Sequence, residues 1–289
     1  MSQSRGSQSR ASESRGPQSQ GPAADDLHLA LELCDLADRI TTGAFRRPDL
    51  AVETKPDLTP VTEADRGVER ALREELSRRA PDDVVLGEEF GEEGSTGDAS
   101  GRRWIVDPID GTKNFVRGIP VWATLLALEV RGSLSVGVVS APALGRRWWA
   151  ARGLGAYAGV PGSDPAGAGR IEVSRVSSLA DAQVSGASLS GWEEHGGPAG
   201  AVELALRCWR DRAFGDFWSH MLVAEGACEI ALDPVVSLWD LAAVQVIVEE
   251  AGGRFTDLDG VARADGGSAV SSNGLLHDEA LGILRRGGA

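Results

Sequence analysis

The sequence has 289 residues, of which 42% are apolar and 25% charged, and these values are typical of a globular protein with a substantial buried core. The formal net charge is −14 and is spread along the chain, which argues against nucleic acid and anionic membrane surfaces as partners. The sequence contains no run of about 18 apolar residues, so it predicts no membrane span. Cys34, Cys208 and Cys228 lack C-x-x-C spacing and favour buried thiols in a reducing, cytoplasmic compartment.

The first 24 residues differ from this average, because they consist mainly of Ser, Gln, Gly, Arg and Pro. With so little apolar surface to bury, they are expected to form a disordered extension. A targeting peptide is the alternative, but the segment lacks both an amphipathic apolar face and a hydrophobic signal region. It carries three arginines and one glutamate, so the remainder of the chain has a net charge of −16.

Two helices are predicted after this extension. Apolar residues recur at steps of three and four from Asp25 to Ile40, and Gly43 follows where a helix would be capped. Residues 62–65 read Thr-Glu-Ala-Asp, which has capping-box spacing in front of the apolar face of a second helix. Short strands are expected next at 84–86 and 104–106.

The rest of the chain divides into a meander and an α/β segment. Residues 121–151 alternate apolar runs with turns, which predicts three antiparallel strands. The chain is therefore expected to form the extension 1–24, an N-terminal α+β subdomain at 25–160 and a C-terminal α/β subdomain at 161–289. In the last of these we predict a strand near 182–184, helices at 200–212 and 218–226, a strand at 228–232, a helix at 240–250, a strand at 254–256 and a helix after His277.

Carboxylates mark the ends of several predicted elements. Asp107 and Asp110 follow the second strand in the motif Asp-Pro-Ile-Asp-Gly-Thr, Glu88 and Glu89 follow the first, and Asp240 begins an apolar helix. If these ends converge, so many like charges require a cation. Oxygen ligands suit Mg²⁺, whereas the four histidines have no spacing that favours zinc.

Each of these acids also has a simpler interpretation. Glu88 and Glu89 could belong to a solvated acidic loop, while Asp65 and Asp240 could only cap their helices. Asp107 is harder to explain in this way. It ends an apolar Trp-Ile-Val strand, where an unpaired carboxylate is costly.

Three ordered motifs, at residues 87–89, 104–115 and 239–253, resemble those of the inositol monophosphatase family of Mg²⁺-dependent, lithium-sensitive phosphatases. The resemblance extends from about residue 25 to the C-terminus. It implies an α/β (α+β) fold, a five-layered α-β-α-β-α sandwich of the inositol monophosphatase and fructose-1,6-bisphosphatase type. It also implies a homodimer and two or three Mg²⁺ ions in each active site.

The resemblance implies metal ligands and catalytic residues at matching positions. The metal ligands that it implies are Glu88, Asp107 and the carbonyl of Ile109 for a first ion, Asp107, Asp110 and Asp240 for a second, and Glu88 and Glu89 for a weaker third. Asp65 and Thr112 match the pair that orients and deprotonates the attacking water, with Glu88 as a further catalytic residue. Asp110, Gly111 and Thr112 would contact the substrate, the last two through backbone N–H groups.

Residues 114–123 and 215–218 resemble the histidinol-phosphatase branch of the family, which implies L-histidinol phosphate as the substrate. Asp216 precedes two aromatic residues, a setting that suits a cationic, ring-bearing alcohol. Asp233 matches a position that contacts the far side of the substrate. Asp216 could instead cap the helix predicted at 218–226. The alternatives for the whole chain are an inositol or other sugar-alcohol monophosphatase, or a catalytically silent metal-binding homologue.

Overall fold

A computed structural model describes residues 22–55, 60–93 and 101–286. Within these ranges no helix is both long and apolar enough to cross a membrane. The predicted disordered extension lies outside the described residues as far as residue 21. The helices are α1 Pro22–Ala44, α2 Glu63–Arg79, α3 Thr112–Val116, α4 Ala199–Arg207, α5 Asp216–Ala224, α6 Leu238–Glu250 and α7 His277–Arg286, with short 3₁₀ helices at Pro142–Leu144, Pro165–Gly167, Leu179–Asp181 and Leu189–His195.

The strands form a hairpin and two larger sheets. In chain order they are β1 Val52–Thr54, β2 Pro60–Thr62, β3 Val84–Gly87, β4 Gly91–Glu93, β5 Arg102–Asp110, β6 Ala123–Val130, β7 Ser133–Ala141, β8 Arg146–Ala151, β9 Gly155–Gly159, β10 Gly169–Ile171, β11 Gln183–Gly186, β12 Arg210–Arg212, β13 Ile230–Asp233, β14 Arg254–Thr256 and β15 Ala269–Ser272. The sheet orders are β1-β2, β10-β9-β8-β7-β6-β5-β3-β4 and β12-β11-β13-β15-β14.

Helices α1 and α2 cover one face of the eight-stranded sheet. Their buried apolar residues recur at helical spacing, as predicted, and pack against β5 to β8. Helix α1 is longer than predicted, because it begins at Pro22 and continues past Gly43 to Ala44. Ala23 already packs against this core, so residues 22–24 belong to the helix and not to the extension.

The predicted three-strand meander is confirmed as β6, β7 and β8, and β9 and β10 continue it. Trp148 and Trp149 lie on opposite faces of β8 and are both buried, so each fills a different layer of core. The sheet ends at Ile171, beyond the predicted boundary at residue 160, because β10 pairs with β9. The division into 25–160 and 161–289 stays a prediction.

Helices α5 and α6 form the central layer between the two large sheets. Residues 241–248 of α6 are all buried, since the helix is covered by a sheet on each side. It begins at Leu238, two residues before the predicted start, and α5 likewise begins at Asp216 instead of 218. Gly137 on β7 allows close packing here, because a Cβ at that position would lie 2.5 Å from the carbonyl oxygen of Ala243.

Helices α4 and α7 cover the outer face of the five-stranded sheet and complete five layers in the order α-β-α-β-α. The predicted sandwich is confirmed. The helix predicted at 200–212 is wrong in its second half, where α4 ends at Arg207 and β12 forms at Arg210–Arg212. Strand β15 was not predicted, although it lies between β13 and β14 and pairs with both.

Candidate active site and metal centre

Strand β5 delivers the first two carboxylates of the site. Its pairing with β6 shifts register between Asp107 and Asp110, so the Pro108–Ile109 segment bulges out of the ladder. Asp107 is only 1% exposed. Its Oδ1 atom is buried and accepts no hydrogen bond from any described residue. A buried carboxylate oxygen without a partner is costly, so this atom indicates a ligand site.

The third carboxylate comes from α6. Asp240 is the third residue of that helix, where its Oδ2 atom accepts a 2.7 Å hydrogen bond from the backbone N–H of Ser237. It therefore does stabilise the start of the helix, as its simpler interpretation predicted. It also places a carboxylate oxygen within 4.8 Å of oxygens of Asp107 and Asp110. The donor set is all oxygen, which fits a hard divalent cation such as Mg²⁺.

Burial is the main cause of the raised pKa values of all three carboxylates. Burial raises the pKa of Asp107 and Asp110 well above the usual range, and neighbouring carboxylates raise it further. Burial also raises the pKa of Asp240 to about 7, although the Ser237 N–H opposes the shift. A bound cation would remove this mutual repulsion, since it favours the charged form of every ligand.

The metal-free protein is expected to lose stability as the pH rises from about 4 to about 7. The folded pKa of Asp240 is about 7, whereas an unfolded Asp titrates near 4. Between these values the folded state binds more protons, so the free energy of unfolding falls as the pH rises and is lowest above the folded pKa.

Thermal unfolding in EDTA across this pH range measures the effect, with Asp240→Asn as the reference. The Asn side chain cannot ionise, so the difference in Tm between variant and wild type should grow in favour of the variant as the pH rises. A difference that is constant with pH would contradict the raised pKa.

The predicted water-activating pair, Asp65 and Thr112, is in contact. Thr112 Oγ1 lies 3.3 Å from Asp65 Oδ1 and 2.9 Å from the carbonyl oxygen of Ile109. Asp65 is completely buried, and its Oδ2 accepts the N–H of Thr62 at 2.8 Å. It therefore caps α2 with one oxygen and faces Thr112 with the other. Burial raises its pKa, against the hydrogen bonds from Thr62, so it is a stronger base than an exposed carboxylate.

Lys55, which lies between β1 and β2, forms ion pairs with both Glu88 and Glu89. Lys55 Nζ lies 2.7 Å from an oxygen of Glu88 and 2.6 Å from an oxygen of Glu89. Burial lowers the pKa of Lys55, but its hydrogen bonds to the two glutamates outweigh this and leave it raised. Burial raises the pKa of Glu89, whose side chain is only 4% exposed, so the solvated-loop interpretation is wrong for it.

A buried ion pair holds the turn that carries these glutamates. Glu69 on α2 is completely buried and pairs with Arg73 at 2.7 Å. Its carboxylate also accepts the N–H of Glu89 at 2.7 Å and that of Phe90 at 3.2 Å. The turn after β3 passes so close that a Cβ at Gly87 would lie 2.0 Å from Glu69 Oε1. Glycine is therefore required at this position.

Gly87→Ala is expected to destabilise the protein by about 1–3 kcal/mol, the usual cost of overpacking, because Glu69 is held by four donors and cannot retreat. Urea unfolding measures the loss. Gly43→Ala is the matched control, since a Cβ there meets nothing within 4 Å and the residue lies in α1. That control should be neutral or slightly stabilising. Equal stabilities for the two variants would contradict the role of Gly87.

Asp216 lies at the start of α5 in an unusual backbone conformation, with φ of 49°. Its side chain does not cap the helix, so that alternative is wrong. Instead, Asp216 Oδ2 accepts a 3.0 Å hydrogen bond from Asn114 Nδ2, which also donates to the carbonyl oxygen of Val121 at 2.9 Å. Burial and the charge of Asp233 raise the pKa of Asp216 to about 6, while Lys113 and His220 oppose the shift.

Gly111 follows Asp110 in the chain and lies close to Asp216. It has φ of 81° and precedes α3. A Cβ there would lie 2.9 Å from the carbonyl oxygen of Val121 and 3.4 Å from Asp216 Oδ2. Glycine thus lets the backbone pass close to Asp216. Asp110 is also linked to α5, because its Oδ2 accepts a hydrogen bond from the N–H of Phe217 at 2.8 Å.

A pocket of about 410 Å³ contains most of the predicted site. Its lining includes Glu88, Asp107, Ile109, Asp110, Gly111, Thr112, Asp216, Asp233 and Asp240. Two predicted residues, Asp65 and Glu89, are not part of this lining. Asp65 contacts the lining residue Thr112, and Glu89 pairs with Lys55. The structure therefore groups most of the predicted metal and substrate residues around one cavity. Among the described residues, the carboxylates close enough to share a metal ion are those of Asp107, Asp110 and Asp240.

Several residues of the site were missed from the sequence. The sequence around Lys55 indicated only a polar loop. Glu69 did give a signal, since it follows Asp65 by four residues and so shares the buried face of α2. His220 contacts Asp233 and Asn114 contacts Asp216, and only the folded chain brings these pairs together.

A family model described as the inositol monophosphatase family matches residues 25–287. The chain belongs to the inositol monophosphatase family. A histidinol-phosphatase of Mycobacterium tuberculosis is 60% identical over 263 residues, covering 91% of this chain and 99% of that protein. A histidinol-phosphatase of Streptomyces coelicolor is 54% identical, with 91% and 97% covered. The solved structure of a Thermotoga maritima IMPase shares 32% identity at a TM-score of 0.78, with 91% and 98% covered.

Membership in this metal-dependent family agrees with the oxygen cluster at the base of the pocket. The chain is a phosphoric monoester hydrolase, so its substrate is a phosphorylated compound. The cluster consists of two carboxylates from the end of β5 and one from the start of α6. The adjacent Glu88 comes from the turn after β3.

Proposed function

We propose that this protein is a Mg²⁺-dependent phosphatase that hydrolyses L-histidinol phosphate to L-histidinol and phosphate, a step of histidine biosynthesis. The observation that carries this proposal is the pocket itself. It joins a cluster of three metal-binding carboxylates to a second pair of acids, Asp216 and Asp233. The first group suits a metal and a phosphate, and the second suits the cationic part of an amino alcohol.

Asp107, Asp110 and Asp240 would hold Mg²⁺, with Glu88 and the carbonyl of Ile109 completing the set and Glu89 supporting a further ion. The unpartnered Oδ1 of Asp107 is the observation that favours this assignment. We propose two or three ions in each site. When bound, Mg²⁺ neutralises the phosphate dianion, lowers the pKa of a water molecule and stabilises the leaving alcohol oxygen.

Thr112 and Asp65 would remove the proton from the attacking water. Thr112 Oγ1 lies within hydrogen-bond reach of Asp65, so it can accept a proton from water while its own passes to the carboxylate. Burial raises the pKa of Asp65, which strengthens it as the final acceptor. Glu88 lines the same pocket and would help to orient the water.

The backbone between the metal ligands and α3 would bind the phosphate. The N–H groups of Gly111 and Thr112 lie at the start of the turn that follows Asp110, where they can donate to phosphate oxygens. The bond from phosphorus to the alcohol oxygen then breaks as the water oxygen attacks from the opposite side. Asp110 belongs to the carboxylate cluster and also accepts a hydrogen bond from the backbone N–H of Phe217 on α5.

Asp216 and Asp233 would bind the substrate's ammonium and imidazole groups. Both acids line the pocket together with Phe217, whose backbone N–H donates to Asp110 Oδ2. A neutral polyol offers no counter-charge to two carboxylates, so an inositol or sugar-alcohol phosphate is the second candidate. The similarity to the Thermotoga maritima IMPase is the observation in its favour.

Phosphate release from purified protein tests the proposal, with L-histidinol phosphate and inositol 1-phosphate as substrates and with Mg²⁺ or EDTA present. We expect Mg²⁺-dependent turnover that is faster with histidinol phosphate. Faster turnover of inositol 1-phosphate would support the second candidate. Metal binding without turnover of either compound would identify a silent homologue.

We further propose that the enzyme is a cytoplasmic homodimer. The family resemblance supports the dimer. All three cysteines are free thiols, and Cys34 and Cys228 are buried, which suits a reducing compartment. Size-exclusion chromatography with light scattering would measure the assembly, and a monomer at micromolar concentration would contradict it.

A further inference from the structure

A buried histidine links the substrate pocket to the five-stranded sheet. His220 on α5 is 1% exposed, and its ring lies between Asp233 at the end of β13 and Ser271 on β15. Its Nε2 atom is 2.8 Å from Asp233 Oδ2, and its Nδ1 atom is 2.7 Å from Ser271 Oγ. Although these side chains have the order of a hydrolytic triad, Ser271 is completely buried, so no substrate can reach it as a nucleophile.

The two contacts of His220 select one tautomer. A carboxylate accepts hydrogen bonds, so Nε2 is the ring nitrogen whose N–H points at Asp233. In a neutral imidazole Nδ1 is then an acceptor, and the hydroxyl of Ser271 supplies its donor. Both ring nitrogens are satisfied within the protein. The ring is therefore fixed in position, with Nε2–H directed at Asp233 in the neutral ring and in the imidazolium alike, which is how a neighbouring group orients a functional histidine.

Asp233 depends on this histidine for its orientation. Among the described residues, the hydrogen bond to its side chain comes from His220. The carboxylate is 6% exposed and lines the pocket beside His220. The chain beyond it is also held, because His195 Nε2 lies 2.7 Å from the carbonyl oxygen of Pro234. With Oδ2 fixed by His220, the acid keeps its second oxygen for a pocket ligand.

We propose that His220, held by Ser271, is a positioning residue that orients the Asp233 carboxylate toward the cationic group of the substrate. This inference rests on the proposed function, since it requires an amino-alcohol phosphate. It adds a specificity role for a residue whose hydrogen bonds, among the described residues, go to Asp233 and Ser271. Orientation in advance matters because a charged contact that forms only after rearrangement loses part of its binding free energy to ordering.

Two substitutions at His220 distinguish the effect of the donated hydrogen bond from the effect of the bulk of the ring. His220→Gln retains an amide N–H that can reach Asp233, whereas His220→Leu keeps the bulk and loses the donor. We expect His220→Leu to raise KM for L-histidinol phosphate about tenfold more than KM for glycerol 2-phosphate, which has no cationic group, as one charge-assisted hydrogen bond would. His220→Gln should recover most of this loss.

The matched control is His277, a second completely buried histidine with a similar environment. It lies between Thr256 and Ser272, at 2.9 and 2.8 Å, and is not in the pocket lining. His277→Leu should lower stability but leave the ratio of the two KM values unchanged. If His220→Leu changes both KM values equally, or if Gln fails to rescue, the residue is structural only and the inference is overturned.

A measurement on the wild-type protein covers the case in which the Leu variant does not fold. Long-range ¹H–¹⁵N NMR of the imidazoles should show the Nε2–H tautomer for His220, with the Gln variant serving to assign the signal. The Nδ1–H tautomer would overturn the inference. Failure of the proposed function has a different signature, because wild-type protein would then hydrolyse glycerol 2-phosphate at least as efficiently as L-histidinol phosphate.

Discussion

Replacing Asp240 with asparagine is expected to reduce kcat/KM by about a thousandfold or more, because metal catalysis contributes several kcal/mol and each 1.4 kcal/mol is tenfold in rate. Asp240 is the carboxylate that α6 supplies to the proposed metal site, whose other two carboxylates lie on β5. Without its charge the donor set loses affinity for a divalent cation. The same result is expected for Asp107→Asn, which removes a ligand with a buried, unpartnered oxygen.

The fold is expected to survive both changes. Asparagine has nearly the same volume as aspartate, and its carbonyl oxygen can still accept the Ser237 N–H at the start of α6. It also removes one of several buried like charges, whose repulsion raises the pKa values of the cluster. In EDTA the variants should therefore unfold at or above the wild-type temperature. With Mg²⁺ added, only the wild type should gain stability, since ligand binding stabilises the folded state.

Asp181→Asn serves as the control, because Asp181 is an exposed acid and the substitution makes the same change of charge. Phosphate release and thermal unfolding, each with Mg²⁺ and with EDTA, complete the measurement. Mg²⁺-dependent turnover within tenfold of wild type in either site variant would contradict the assignment of these ligands.

The order of the elements was predictable wherever a local pattern carries the information. Helix α2 has both a capping box and an apolar face, and both are present in the structure. The meander was predictable for the same reason, because turns interrupt its apolar runs. Helix α6, by contrast, is buried on all sides, so its apolar residues show no helical periodicity. Its predicted start was therefore two residues too late.

Elements held by distant pairing could not be predicted from local patterns. Strand β12 is three residues long and polar, and it forms because it pairs with β11, some 27 residues earlier. Strand β15 has a mixed sequence that is stabilised between β13 and β14. Tertiary contacts decide the structure of such segments, so their own propensity gives little signal.

The site shows the same division between local and distant information. Asp107 and Asp110 were predictable because a carboxylate at the end of an apolar strand is unusual in itself. The ion pairs of Lys55 with Glu88 and Glu89 join residues 33 and 34 positions apart. No spacing rule connects them. The contact of Asn114 with Asp216 spans 102 positions and depends on how α3 and α5 meet.

Replacing Asp216 is expected to raise KM for L-histidinol phosphate about 10- to 100-fold more than KM for inositol 1-phosphate, as the loss of a charged hydrogen bond predicts. Asp216→Asn is the cleaner variant, because asparagine tolerates the positive φ of 49° at this position whereas alanine adds strain. Asp216→Ala should show the same selectivity with an additional loss of stability. Asp211→Ala, at an exposed acid on β12, controls for the change in net charge.

The pH dependence of this preference distinguishes charge from shape. Burial and the neighbouring charge of Asp233 raise the pKa of Asp216 to about 6, so the carboxylate becomes protonated below that pH in the free enzyme. An ammonium group binds the ionised form, and KM for L-histidinol phosphate should therefore rise as the pH falls below about 6. The phosphate group titrates in both substrates, but the imidazole of L-histidinol phosphate also titrates at about pH 6.5, so the pH dependence of the KM ratio must be compared between wild type and Asp216→Asn. In Asp216→Asn the ratio should change less near pH 6 than in wild type, because only the substrate's imidazole then titrates there. An equal change of the ratio in both proteins would show that Asp216 does not cause the pH dependence.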